Sequence, residues 1–180
     1  MGFKELYGLA YRTDFDLQQH AKNSGQSLEY FDAQANQKIV PHVIEPTFGV
    51  DRTVLALLLE AYTEEKVKDG QRVVLKFNPR VAPVKVAVFP LARNKSELVD
   101  LARKVFDQLK GQYRTMYDDT GSIGKLYRRQ DEIGTPFCVT VDFDSLKDAT
   151  VTVRDRDSMK QERVKIDQLP AYLGIRFRTI

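Results

Sequence analysis

Glu45 and Arg52 bracket the stretch of this sequence whose residue types and spacing could most readily grip a small polar molecule. The segment PHVIEPTFGVDR (Pro41–Arg52) reads as a strand at His42–Ile44, a turn at Glu45–Gly49, and a helix from about Asp51 to Tyr62. A strand-to-turn junction exposes backbone N–H groups and fixes side chains on a rigid frame, which suits a binding site. Spacing by itself also fits a surface ion pair, the commoner fate of a Glu and an Arg seven residues apart. A second group lies far downstream, where Lys125, Tyr127, Arg128, Arg129, Gln130 and Asp131 mix cations, an amide and an aromatic ring. Such a mix can hold phosphates while stacking on or reading unpaired bases. The same residues also fit a solvated helix face with pairs such as Arg128–Glu132.

Other polar residues are less informative. His20 and His42 are the only histidines and read as packing groups. Asp14 and Asp16 read as a solvated pair or as partners of Arg12, and Arg154–Asp157 as a salt-bridged hairpin turn. The chain contains no Cys/His cluster for zinc and no phosphate-cradling glycine loop of the Walker or dinucleotide type. No residue set here performs a complete reaction unaided.

The elements that must position these groups follow from hydrophobic period. Leu6–Ala10 and Phe15–Leu17 read as strand ends, His20–Glu29 as a loop or short helix, and Tyr30–Asp32 with Lys38–Val40 as a hairpin. Val54, Leu55, Leu58, Leu59 and Tyr62 recur at helical spacing, so their helix is expected to pack firmly, ending in the charged tail TEEKVKDG. Arg72–Lys76 reads as a short strand. FNPRVAP (Phe77–Pro83) carries two prolines and marks a boundary between residues 1–79 and 80–180. Beyond it strand and helix alternate: Val84–Phe89, a helix over Asn94–Lys110, Tyr113–Tyr117, a helix over Ile123–Glu132, and Phe137–Phe143. Asn94 and Glu97 have capping-box spacing, and Leu98, Leu101, Ala102, Val105, Phe106 and Leu109 form one stripe. A hairpin over Thr150–Asp155 and Gln161–Ile166 and a short helix at Asp167–Leu173 complete a largely parallel α/β sheet.

The 180 residues, 20.7 kDa, suffice for one large or two small domains. No apolar run approaches the roughly 18 residues of a membrane span. The start MGFKELYGLAYR lacks a signal-peptide core and has no Ser or Thr at position 6 for myristoylation. The lone Cys138 sits in an apolar run and reads as a buried, inert thiol. These features point to a cytosolic protein. Residues 1–79 hold nine Lys/Arg against eleven Asp/Glu, and residues 80–180 nineteen against fourteen. A basic second half suits a phosphate-rich partner.

EPTFGVDR (Glu45–Arg52) resembles motif 3 of class II aminoacyl-tRNA synthetases, in the form found in the glycyl-tRNA synthetase family. Glu5-Leu6 and GLAYRTDFDLQQH (Gly8–His20) resemble that family's preceding active-site strands. APVKVAVFPL, YDDTGSIGKLYRRQDEIGTPFCVTVDF and TVTVRDRD resemble its anticodon-binding domain. The resemblance implies an α/β fold in which residues 1–79 end a class II antiparallel catalytic sheet. Residues 80–180 would then be an anticodon-binding domain with a mixed, mostly parallel five-stranded sheet. It implies ATP-dependent activation of glycine, with Mg2+ carried by the ATP, and transfer of glycine to tRNA(Gly), the full-length enzyme being a homodimer. Glu5, Leu6, Gly49, Val50, Asp51 and Arg52 would bind ATP. Arg12, Glu45, Pro46, Thr47, Phe48 and Gly49 would shape the glycine pocket, Glu45 holding the ammonium and Arg12 the carboxylate. The tRNA would meet Lys125, Tyr127, Arg128, Arg129, Gln130 and Asp131. Thr47 departs from the serine usual there, and its methyl narrows the pocket. Neither motif 1 nor motif 2 is among these residues, so the chain is expected to be the carboxyl-terminal portion of a longer enzyme and inactive alone. The rival expectation is a non-catalytic RNA-binding accessory subunit of the same fold.

Overall fold

A computed structural model of the chain describes residues 5–67 and 70–178. The Met1–Gly2 terminus and the Lys68–Asp69 end of the charged tail lie outside the described residues. Two compact units divide the chain, Met1–Ala56 and Leu57–Ile180.

In the first unit β1 (Tyr7–Thr13) is followed by α1 (Phe15–Ser24), β2 (Tyr30–Asp32), β3 (Gln37–Ile39) and β4 (Val43–Phe48). The β2–β3 hairpin forms as its sequence suggests. Phe15–Leu17 is not a strand but the first turn of α1. Asp14 organises that turn by accepting from the Gln18 backbone N–H at 3.0 Å and from Gln18 Nε2 at 2.6 Å. Glu45–Phe48 is not a turn either. β4 pairs antiparallel with β1 from Tyr11↔Ile44 to Tyr7↔Phe48, and Pro46 is tolerated because, among the described residues, only one side of β4 is paired. The helix α2 (Val50–Ala61) begins directly afterwards and runs across the division between the units. Its apolar stripe is exposed rather than packed, Leu59 at 71%. Periodicity reports an apolar face, not what lies against it.

In the second unit the charged tail is a strand. β5 (Tyr62–Val67) and β6 (Gly70–Leu75) form an antiparallel hairpin with Glu65 opposite Arg72. The chain continues through β7 (Val86–Pro90), α3 (Ser96–Lys110), β8 (Thr115–Tyr117), α4 (Ile123–Ile133), β9 (Phe137–Val141) and the single turn α5 (Ser145–Asp148). β10 (Thr150–Asp155), β11 (Gln161–Lys165), a 3-10 turn (Ile166–Gln168) and α6 (Leu169–Arg178) complete it. The five-stranded order is β11-β10-β9-β7-β8. β7 runs parallel to β8 and β9, while β10 is antiparallel to β9 and β11, so the sheet is mixed with parallel and antiparallel pairings in equal number.

Both faces are covered, which is why β7 and β9 read as continuous apolar runs. Val86, Val88, Val139 and Val153 meet Leu98, Val105 and Leu109 of α3 and Leu169 and Leu173 of α6. Ala87, Phe89 and Cys138 meet Leu126 of α4 on the other face. Each fully buried Leu or Val contributes about 1.5–3 kcal/mol. The expected Asn94 capping box does not form: α3 starts after Lys95, whose carbonyl accepts from Leu98 and Val99 N–H, both at 3.1 Å. Burial raises the Cys138 pKa to about 12. Its thiol is therefore expected to ignore a disulfide reagent at pH 8 in the folded chain and to react at once in denaturant. Rapid labelling of the native chain would contradict this packing.

Candidate functional site

Side chains alternate across the β1–β4 ribbon, so each face carries its own set. Tyr7, Leu9 and Tyr11 pair with Phe48, Pro46 and Ile44 on an apolar face, where the Tyr7 and Phe48 rings meet edge-on at 5.3 Å. Gly8 and Ala10 pair with Thr47 and Glu45 on the other. That second face has a floor of two small residues and polar groups above it. At its end Arg12 is the extra residue of a β-bulge between Tyr11 and Thr13, with Thr13 at φ 54°. Bulges re-aim side chains, and here the guanidinium turns onto Glu45 in a fork: Nε to Oε2 at 3.2 Å and Nη2 to Oε1 at 3.1 Å. Asp16 approaches Arg12 Nε at 3.8 Å, and Thr47 Oγ1 donates to Glu45 Oε1 at 3.2 Å. The Arg12 hydrogen bond and charge hold the Glu45 pKa below its ordinary value, and Glu45 raises that of Arg12.

A few residues on, the backbone closes tightly. Gly49 N–H donates to the Leu6 carbonyl at 3.0 Å, and a Cβ on Gly49 would stand 2.7 Å from that oxygen, so no larger residue fits without a backbone shift. Arg52 donates to the Glu5 carbonyl, and Tyr7 Oη lies 2.9 Å from Thr53 Oγ1. The fold thus gathers Glu5, Leu6, Gly49 and Arg52 at one end and Arg12, Glu45 and Thr47 along the ribbon. The Glu5 carboxylate joins the two, since a Cβ on Gly8 would stand 3.2 Å from Glu5 Oε1 and 3.9 Å from the Thr47 Cβ. Pro46 and Phe48, expected to line the same pocket as Glu45, sit on the opposite ribbon face because the segment is extended rather than turned. His42 makes a ring contact and a hydrogen bond to Tyr11.

In the second unit a shallow cleft of about 520 Å³ runs along α4, lined by Ser122, Lys125, Arg128, Arg129 and Glu132. Arg129 is braced by Asp118 at 2.9 Å and by Thr120 at 2.7 Å, and Arg128 reaches the Gln71 carbonyl at 3.4 Å rather than Glu132. Beneath lies a buried charge network. Asp131, 1% exposed, accepts from Arg154 Nη1 at 2.8 Å and Nη2 at 3.1 Å, and from Arg72 Nη1 at 3.4 Å. Arg72, also 1% exposed, reaches the Arg156 carbonyl at 3.0 Å, and its Nη2 lies 2.8 Å from Glu65 Oε2. Arg156 is buried beside them and donates to the Gly134 and Phe77 carbonyls, both at 2.8 Å. Gly134, at φ 80°, has no room for a Cβ, which would stand 2.5 Å from the Phe77 ring.

Residues 85–174 match the family model described as an anticodon binding domain. The chain belongs to that family. It is also similar to glycine–tRNA ligases: 56% identical over 177 residues to that of Acetivibrio thermocellus, covering 98% of this chain and 38% of that protein. The Thermobifida fusca protein is 55% identical over 177 residues, covering 96% of this chain and 38% of the relative. That of Clostridium acetobutylicum is 54% identical over 173 residues, covering 96% and 37%. The chain therefore spans less than two-fifths of the length of these relatives.

Within the anticodon-binding domain the six residues expected to face RNA separate. Lys125, Arg128 and Arg129 line the α4 cleft. Tyr127 is half-buried, with its hydroxyl 2.7 Å from Thr140 and its ring under Arg154. Gln130 and Asp131 are not on the surface. Gln130 accepts from Thr135 at 2.6 Å, and Asp131 is enclosed by arginines. The signal was present: Ile123, Leu126, Tyr127, Gln130 and Asp131 follow one helical stripe, so the last two belong to its buried side. The network arginines Arg72, Arg154 and Arg156 carried no comparable signal, since sequence cannot show that a hairpin cation will be enclosed.

Proposed function

We propose that this chain is the portion of a glycine–tRNA ligase that carries motif 3 and reads the anticodon of tRNA(Gly). The observation that supports it most is the Arg12–Glu45 fork above the Gly8–Ala10 floor, on the ribbon that runs through Gly49 into the start of α2. A glycine zwitterion presents one carboxylate and one ammonium. It enters by opening the fork, its carboxylate to Arg12 and its ammonium to Glu45. ATP lies along Glu5, Leu6, Gly49, Val50, Asp51 and Arg52, and the planar Arg52 guanidinium both stacks on the adenine and neutralises phosphate charge. Attack of the glycine carboxylate at the α-phosphate then needs positioning and charge neutralisation more than side-chain chemistry. Mg2+ arrives with the nucleotide; among the described residues no group of three or more His, Cys, Asp or Glu is placed to hold a metal ion.

Residues 1–79 act as the end of the catalytic domain and residues 80–180 as the anticodon-binding domain, in a homodimeric cytoplasmic enzyme. No helix among the described residues is long and apolar enough to cross a membrane. The exposed apolar faces of the β1–β4 ribbon and α2 are where the remainder of the longer ligase packs. Arg52→Ala in the full-length ligase is expected to slow glycine-dependent pyrophosphate exchange roughly ten- to a hundredfold, by loss of a charge-assisted phosphate contact. Affinity for the anticodon stem-loop should not move. Unchanged exchange would show Arg52 to be structural and remove the motif 3 assignment.

A further inference from the structure

At the amino-terminal ends of β7 and β8 the second unit carries a cleft of about 320 Å³, away from α4. Arg80, Lys85 and Arg114 converge on it between walls of Pro79, Tyr113 and Phe177, and no carboxylate lines it. None of the three cations forms an ion pair among the described residues, whereas seven other arginines of the chain do. Lys85 is held in place instead by two carbonyls, Pro79 O at 2.6 Å and Arg80 O at 2.8 Å. Burial, and then the charge of Arg114, lower its pKa, so the site as it stands disfavours its own positive charge. The carboxyl end of α3 does not supply the missing anion, because the Leu109 carbonyl already accepts from Gln112 and Tyr113 N–H at 3.0 Å. Arg178 adds a further positive charge close to Tyr113.

Like charges gathered without a counter-charge, around space large enough for a tetrahedral anion, are stabilised when an anion enters. We propose that the Arg80–Lys85–Arg114 cleft binds a backbone phosphate of the tRNA. The proposal rests on the tRNA reading above and adds to it a contact that positions the RNA without reading its sequence. The cleft shares no lining residue with the one along α4, so a phosphate held here and bases held near α4 would come from different nucleotides.

Arg80→Ala, Arg114→Ala and the double variant test it in the 180-residue chain, since both side chains are exposed and a matching thermal midpoint confirms the fold. A fluorescent glycine anticodon stem-loop is titrated across a range of salt, beside one whose two adjacent anticodon cytosines are changed. The double variant is expected to bind the glycine stem-loop roughly tenfold more weakly at fixed salt. Its slope of log affinity against log salt should fall by about one, with the ratio between the two RNAs unchanged. A wild-type chain that distinguishes the two RNAs, beside a double variant with unaltered affinity and slope, would overturn the cleft and leave the tRNA reading standing. A wild-type chain that binds neither RNA would overturn both. Competition by inorganic phosphate that is lost in the double variant while RNA affinity is not would assign the cleft to free phosphate and also overturn the proposal.

Discussion

Asp131→Ala is expected to lower the unfolding free energy of the second unit by about 3–5 kcal/mol, because it leaves two buried guanidinium groups without their shared carboxylate. Arg154 and Arg72 both lean on Asp131, and Arg72 Nε has no hydrogen-bond partner among the described residues. Burial disfavours the Arg154 charge, but the Asp131 hydrogen bond and charge more than offset it and raise its pKa. Urea unfolding of the chain reads the effect as a shift in midpoint at unchanged slope. Added salt should do little to the difference, since the pairs are enclosed. Replacing all three charges together, as Arg72→Met, Asp131→Leu and Arg154→Met, should recover most of the loss, because the cost comes from isolating a buried charge rather than from losing a favourable pair. A loss below about 1 kcal/mol for Asp131→Ala would mean that water reaches the network. The network also makes the β5–β6 hairpin part of this unit, so a chain beginning at residue 80 should be less stable than one beginning at residue 57.

Glu45→Ala, made in the full-length ligase, is expected to reduce kcat/KM for glycine at least about a hundredfold while sparing KM for ATP. The variant removes the carboxylate assigned to the substrate ammonium. It also frees Arg12, whose charge then repels that ammonium. Arg12→Ala should act through the substrate carboxylate instead, and the double variant should be no worse than the poorer single one, since the two residues act as one fork. Because the Arg12 hydrogen bond and charge hold the Glu45 pKa below its ordinary value, Glu45 keeps its charge further into acid than a free carboxylate does. Glycine use should therefore show no Glu45 titration between pH 5 and 8. Full activity of Glu45→Ala would remove the ammonium role.

What could be read from the sequence follows what each segment buries. Val86–Pro90 and Phe137–Val141 are enclosed on both faces and α3 on one, so their apolar patterns were legible. α1 was read in part, its start as a strand end and its later residues as a loop or short helix, because its ten residues bury none of their side chains and carry no stripe. TEEKV reads as a helical tail by composition, yet Glu65 and Val67 alternate with exposed Glu64 and Lys66, a period of two that only the partner strand makes decisive. Glu45–Gly49 read as a turn, yet a strand paired on one side among the described residues accommodates its Pro46. At the candidate site, residue types pointed to Glu45 and Arg52 and resemblance added Arg12 and the roles, and the ribbon register then separated Glu45 from Pro46 and Phe48. Gly8 and Ala10 were legible only once that register was known, since small residues announce no chemistry by themselves.

Glycine codons all begin GG, so their anticodons share two adjacent cytosines, which this chain is expected to read. Unpaired loop bases expose their Watson–Crick edges, so sequence can be read there. Titrating the 180-residue chain at physiological salt with the glycine anticodon stem-loop, and with one in which both cytosines are changed, measures this directly. Tighter binding of the unchanged stem-loop, by roughly tenfold or more, is the predicted result. Equal affinities would leave only non-specific phosphate contacts and contradict the assignment of this chain to anticodon recognition.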